Sequence, residues 1–152
     1  MKTLVLGLGN PILSDDGVGL RVAEEVKGRV NQQQVTVMET SLGGLDLLDI
    51  LANFDKAIII DAIQTRDGKV GQIYRLEPGA LDATRHSSTP HDITLVMALE
   101  LGKRMGLSLP RQIVFFAIEV EDVTTFGEKC TLGVERVISL ATDMVLQELK
   151  EG

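Results

Sequence analysis

Four side chains in this sequence are of the types and in the places that bind a cation or move a proton: Asp15, Asp16, Asp61 and His91. The two adjacent acids lie in GLGNPILSDDGVG, residues 7–19, a glycine-rich turn between the apolar run TLVL and a helix. Such a turn often cradles a phosphate. Here two carboxylates would repel a pyrophosphate, because a helix N-terminus favours one anion but not several. The dinucleotide fingerprint needs its third glycine at position 12, which is Ile12, and no Gly-Lys-Ser/Thr ending is present. A carboxylate held by backbone N–H groups at a helix start stays ionised and fixed in direction, which suits a cation or a polar group. One acid alone would be explained by capping. With two in a row, one can cap and the other is left to face the cleft.

Asp61 directly follows Ile58-Ile59-Ile60, at the edge of a core strand. Burial of a charge there is costly unless it is paired or coordinated; a hydrogen-bonding role at the strand end is the simpler alternative. His91 follows Thr89-Pro90 in the first turn of a helix, where the dipole disfavours imidazolium. A neutral imidazole is what a metal needs, although a lone first-turn histidine is commonly just half-exposed. His86 falls in a loop and reads as solvated. Asp16, Asp61 and His91 form a two-carboxylate, one-imidazole set that suits nickel, zinc or iron with coordination positions left open. Spacings of 45 and 30 residues do not bring these groups together by themselves; the fold must. Cys130 has no histidine near it in sequence and reads as a small buried residue. Met97 and Met105 read as core filler of a helix. No Gly-x-Ser-x-Gly elbow and no His-Glu-x-x-His helix is present.

The elements that must position these residues alternate. Leu4–Leu6 is a buried strand stopped by Gly7 and Gly9. A helix from about Asp16 carries Val18, Val22 and Val26 on one face, with Ser14 and Asp15 as candidate N-caps. VTVMET, residues 35–40, alternates as a strand; Gly43 and Gly44 open a short helix, LDLLDIL. KAIIIDAI is apolar on both faces, as a central parallel strand should be. Asp67-Gly68 is a turn, after which QIYRLE returns as an antiparallel strand. A loop, EPGALDATRHSS, leads to a helix from Thr89-Pro90 to about Met105. RQIVFFAIE is another buried strand, EDVTTFGEKCTLG a polar loop, and Val134, Val137, Ile138, Ala141, Met144, Val145 and Leu149 stripe a last helix. The expected fold is α/β: one domain over 1–152, a three-layer α/β/α sandwich with a mainly parallel twisted sheet of about five strands. Sites in such folds gather outside the carboxyl ends of strands.

The totals narrow the classes. The chain has 152 residues, 44% hydrophobic, enough for one sizeable core. Its net charge of −7 makes nucleic acid a poor partner. A single cysteine excludes an intramolecular disulfide. The N-terminal apolar run is ended early by Asn10 and Pro11, and no stretch reaches a membrane span, so no membrane insertion and a cytoplasmic location are expected.

LVLGLGN and DDGVG within 4–19, ETSLGGLDLLD at 39–49, AIIIDA at 57–62 and SSTPHDITL at 87–95 together resemble the hydrogenase maturation endopeptidases, in order over nearly the whole chain. The most specific part is G-x-G-N-x-x-x-x-D-[DE]-G-x-G, followed by the strand-end Asp and the Ser/Thr-x-His segment. The resemblance implies a twisted sheet between helices and an enzyme that removes a C-terminal extension from the large-subunit precursor of a nickel–iron hydrogenase. It implies that Asp16, Asp61 and His91 recognise nickel already inserted in that precursor, so that the metal is supplied by the substrate. Gly43 and Gly44, with Asp15, are candidates for the loop that approaches the substrate. Two stretches depart from the family pattern. Ile118-Glu119-Val120 stands where Ile-Glu-Pro is common, and the loop 121–133 diverges, which bears on the cognate hydrogenase more than on the chemistry.

Two other classes remain at this point. A metal-dependent binding module or chaperone could use the same three residues without cutting. GLGNP also opens peptidyl-tRNA hydrolases, but their catalytic histidine run is replaced here by Ser-Asp-Asp-Gly-Val-Gly.

Overall fold

The computed structural model describes residues 1–41, 46–77 and 90–151, with the backbone alone over 90–96. Five strands, β1 (Thr3–Leu8), β2 (Val35–Thr40), β3 (Lys56–Ile63), β4 (Ile73–Leu76) and β5 (Gln112–Glu119), form one sheet in the order β2-β1-β3-β5-β4. The first three pairings are parallel and β4 runs antiparallel to β5. The expected antiparallel return therefore exists, but its partner is β5, because both edges of β3 are already taken by β1 and β5.

Strand alternation divides the core between the two faces. On one face Val5, Ile58, Ile60, Val114, Phe116 and Ile118 pack against helix α1 (Val18–Lys27), α4 (Leu132–Glu135) and α5 (Ile138–Glu151). On the other, Leu4, Leu6, Leu8, Ala57, Ile59 and Phe115 pack against α2 (Asp46–Leu51) and α3 (Pro90–Arg104). That is why the central strands read as unbroken apolar runs: both faces are covered. Each fully buried Leu, Ile or Val contributes about 1.5–3 kcal/mol over its exposed state.

Four expectations need correction. The first helix starts at Val18, not Asp16, because a short 3-10 turn, Ser14–Gly17, precedes it. Neither Ser14 nor Asp15 caps it; their side chains are bonded to the loop after β5 instead. The last helical stripe is two helices. Between them the Val137 N–H donates to the Val134 carbonyl, a tightened 3-10-type bond at which the α-helical run stops. Met97 and Met105 are not core filler: they are 67% and 63% exposed, Met97 on the outer side of α3 with Leu101, and Met105 just past its end. Spacing by four marks one face of a helix without saying which face meets the sheet. Among the described residues, no helix is long and apolar enough to cross a membrane.

Candidate active site

In the strand order β2-β1-β3-β5-β4 the chain leaves β1 toward one side of the sheet and reaches β3 on the other. The carboxyl ends of β1 and β3 therefore flank a topological switch point, where open α/β sheets form their ligand crevice. Asp16 lies on the loop after β1. Asp61 lies near the end of β3, in register with Ala117, and the strand continues beyond it to Ile63.

Three glycines let the loop after β1 and the start of α1 lie close against the sheet. Gly9 has φ +151°, and a Cβ on it would run into the carbonyl oxygen of Asp16. Gly19 lies so close under the sheet that a Cβ would strike the Ile60 carbonyl and come within 2.6 Å of the Leu8 carbonyl. A Cβ on Gly7 would come 2.8 Å from Ala23 Cβ. The 3-10 turn thus packs against β3, and the start of α1 lies against Ile60, the residue before Asp61.

The adjacent acids have separate tasks. Asp15 is fully buried and clasps the loop after β5. Its Oδ2 accepts from the Glu121 N–H (3.0 Å), the Asp122 N–H (3.0 Å) and the Thr131 hydroxyl (2.8 Å), and its Oδ1 accepts from the Thr131 N–H (2.6 Å). Asp16 is also buried, and its Oδ2 accepts from the Asn10 N–H at 2.9 Å. Asp61 Oδ1 accepts from the Ala62 N–H at 2.8 Å. Each of these two carboxylates is thus held by a backbone N–H. Ser14, between loop and turn, adopts φ 47°, the left-handed region. Its N–H donates to the Gly127 carbonyl and its hydroxyl to the Lys129 carbonyl. Such strain, of about 1–3 kcal/mol, persists only where surrounding bonds over-determine it.

Sequence reasoning missed the supporting residues. Glu119, at the end of β5, is buried; it accepts from the Thr65 N–H (2.8 Å), the Thr65 hydroxyl (2.6 Å) and the Tyr74 hydroxyl (3.1 Å). It fixes the turn that follows β3. Thr131 and Asn10 do the same for Asp15 and Asp16. Asn10 and Glu119 had a visible signal, their places in the G-x-G-N run and in Ile118-Glu119-Val120; Thr131 had none.

His91 has its backbone in the first turn of α3, as expected from Thr89-Pro90; its side chain lies outside the described residues. Gly43, Gly44 and His86 also lie outside them. Among the described residues, no three His, Cys, Asp and Glu side chains form a metal cage. Cys130 is half-buried and packs against the core beside α4. Burial, then the charge of Asp15, pushes its thiol up to about 11, which keeps it protonated and a poor nucleophile.

An open α/β sheet with two buried carboxylates beside its switch point has its candidate chemistry where such sheets bind their ligands. Comparison with known proteins narrows this. The family model for HycI, hydrogenase maturation protease, matches residues 20–148. The hydrogenase 2 maturation protease of Escherichia coli K12 is 29% identical over all of this chain and 93% of its own length. The hydrogenase expression/formation protein HupD of Bradyrhizobium diazoefficiens is 28% identical over 99% of this chain and 79% of its own. Among solved structures, the hydrogenase maturating endopeptidase HybD of E. coli superposes with a TM-score of 0.83, at 28% identity over 99% of this chain and 93% of that one. The chain belongs to the hydrogenase maturation protease family. It is a peptidase of hydrogenase maturation, which removes the ground for a non-catalytic binding module and for a peptidyl-tRNA hydrolase. The five-stranded, mostly parallel sheet expected from the sequence is the fold observed, and it matches that of HybD.

Proposed function

We propose that this peptidase removes the C-terminal extension of a nickel–iron hydrogenase large-subunit precursor, and that Asp16, Asp61 and His91 recognise nickel already seated in that precursor. The observation that supports the reading is that Asp16, on the loop after β1, and Asp61, near the end of β3, both flank the β1/β3 switch point, each accepting a backbone N–H. Two anchored carboxylates and an imidazole form an oxygen-and-nitrogen donor set suited to a borderline divalent ion. Their charges favour a cation in the crevice, and other divalent ions such as zinc also suit the set. A precursor without metal would lose that attraction, so docking reports that metal loading is complete. The substrate's metal, once docked, can polarise the scissile carbonyl or activate water. Alternatively Asp16 or Asp61 accepts a proton from water while the metal serves for recognition. Loss of binding and cleavage together in Asp16→Asn supports the first; retained binding with lost cleavage supports the second.

The test is mass spectrometry of the precursor after incubation with this protein, with and without prior nickel loading. Loss of a C-terminal peptide from the nickel-loaded sample alone is the expected result. Equal loss from both would remove nickel recognition from the three residues. No loss from either, with binding verified, would overturn the assignment of this substrate.

A further inference from the structure

The loop that carries Asp16 is zipped to the loop after β5. The Gly127 N–H donates to the Ile12 carbonyl at 2.8 Å, the Ser14 N–H donates to the Gly127 carbonyl at 2.9 Å, and Leu13 and Gly127 form a parallel bridge. The Asp15 N–H also donates to the Asp122 carbonyl at 2.9 Å. Asp122 in turn takes the Thr124 and Thr125 N–H groups at 3.0 and 2.9 Å, and the Thr125 hydroxyl, with these N–H groups, holds its carboxyl down at about 2. The segment is therefore tied at both ends and along its length. At its tip, one residue before the bridge, stands Phe126, 81% exposed, with Ile12, 49% exposed, one residue before the bridge on the other strand.

This arrangement is unusual for the molecule. Of its four phenylalanines, Phe115 and Phe116 are buried in the sheet and Phe54 is half-buried against the second core. An aromatic ring held in water by so many backbone bonds contributes little to folding. A rigid exposed aromatic beside an aliphatic neighbour has the make-up of an interface anchor. The loop from 121 to 129 around it carries Glu121, Asp122 and Glu128 against Lys129 alone.

We propose that Ile12 and Phe126 form the docking ridge for the precursor, seating an apolar stretch with basic neighbours that lies beside its metal-bearing cleavage region. The ridge is continuous with the site: Ile12 and Asp16 share one loop, and the bridge of Leu13 to Gly127 sets Phe126 beside it. The divergent loop 121–133 thus selects the cognate precursor, while Asp16 and Asp61 check its metal. This inference rests on the substrate assignment above.

The test is steady-state cleavage of the nickel-loaded precursor by the wild-type protein and by Phe126→Ser, Ile12→Ser and, as an exposed apolar control on α5, Leu140→Ser. The expected result is a KM raised about tenfold or more in the first two variants with kcat nearly unchanged, and wild-type values in the third. Thermal midpoints should match wild type, since both side chains stand in water. An unchanged KM in both ridge variants, or a fall in kcat alone, would overturn the ridge. If the wild-type protein leaves the precursor uncut, the substrate assignment fails separately. Direct binding of the precursor then decides the ridge: binding lost in Phe126→Ser sustains it, and equal binding overturns it.

Discussion

Strand β3 carries a buried charge near each end, and the two ends treat it in opposite ways. At the amino end, Lys56 is 1% exposed and its ammonium donates to Glu148 Oε2 at 3.3 Å and to the Glu148 carbonyl at 3.1 Å. Arg75 donates to the other oxygen of the same carboxylate at 2.6 Å. Two cations from two strands close on one acid from α5. At the carboxyl end, Asp15, Asp16, Asp61 and Glu119 lie at or just beyond the ends of β1, β3 and β5; loop N–H groups hold Asp15, Asp16 and Glu119, and the Ala62 N–H of β3 holds Asp61. One end matches charge with charge and locks a helix to the sheet. The other concentrates charge of one sign and aims it. Burial alone therefore does not mark a functional residue; the nature of its partners does.

The largest effect expected from breaking this contrast is on cleavage. Asp16→Asn keeps the shape but removes a charge from the crevice; precursor cleavage should fall by about 10²–10⁴-fold. The thermal midpoint should move less than in the next variant, because removal of one of several like charges relieves repulsion. Progress curves and calorimetry on the same preparation check both. An Asp16→Asn protein with near wild-type cleavage would break the comparison at its functional end.

At the closed end the signs reverse. Glu148→Gln leaves the Lys56 ammonium buried without its counter-charge, at a cost of about 3–5 kcal/mol in unfolding free energy. Arg75 is 42% exposed and adds only a screened share. Denaturant titration measures the loss, and cleavage per folded molecule should stay at the wild-type value. The same carboxylate predicts a pH dependence. The Arg75 hydrogen bond, opposed by burial and helped by Lys56, holds Glu148 below its ordinary value of 4.5. A depressed folded-state value means that the stabilisation is complete above 4.5 and is lost as pH falls through the folded value. Thermal midpoints between about pH 6 and about pH 3 should drop more steeply in the wild-type protein than in Arg75→Gln.

The sequence disclosed these two ends unequally. Three-layer architecture and strand count were legible because central parallel strands are apolar on both faces, as in AIII and IVFF. Asp16 stood out in a glycine-rich turn after a strand, and Asp61 as an acid directly after Ile58-Ile59-Ile60. The Lys56–Glu148–Arg75 cluster was not legible, because its members lie 92 and 73 residues apart and each, taken alone, is an ordinary surface type. The exposed faces of Met97 and Met105 were misread for a related reason: periodicity locates a stripe but not the neighbour that covers it. Asp15 was legible as chemistry but not as a clasp. Its partner Thr131 is 116 residues away, and no local pattern pairs an acid with a distant threonine.

The smallest expected effect concerns the one group that could rival the acids as a nucleophile. Cys130 lies on the loop that Asp15 clasps, one residue before Thr131, so proximity alone would make it a candidate. Its surroundings argue the other way. Burial disfavours the thiolate, the Asp15 carboxylate disfavours it further, and Arg21 offsets only part. With the thiol pushed up to about 11, the ionised fraction near neutral pH is on the order of 10⁻⁴. A cysteine peptidase needs the opposite environment, electropositive and open. Cys130→Ser should therefore cleave the precursor within about twofold of wild type, and iodoacetamide should label the native protein far more slowly than the unfolded chain. Abolished cleavage in a folded Cys130→Ser protein would move the chemistry off the acids and onto the loop that Asp15 holds. The contrast between the two ends of β3 would then be one of charge balance alone.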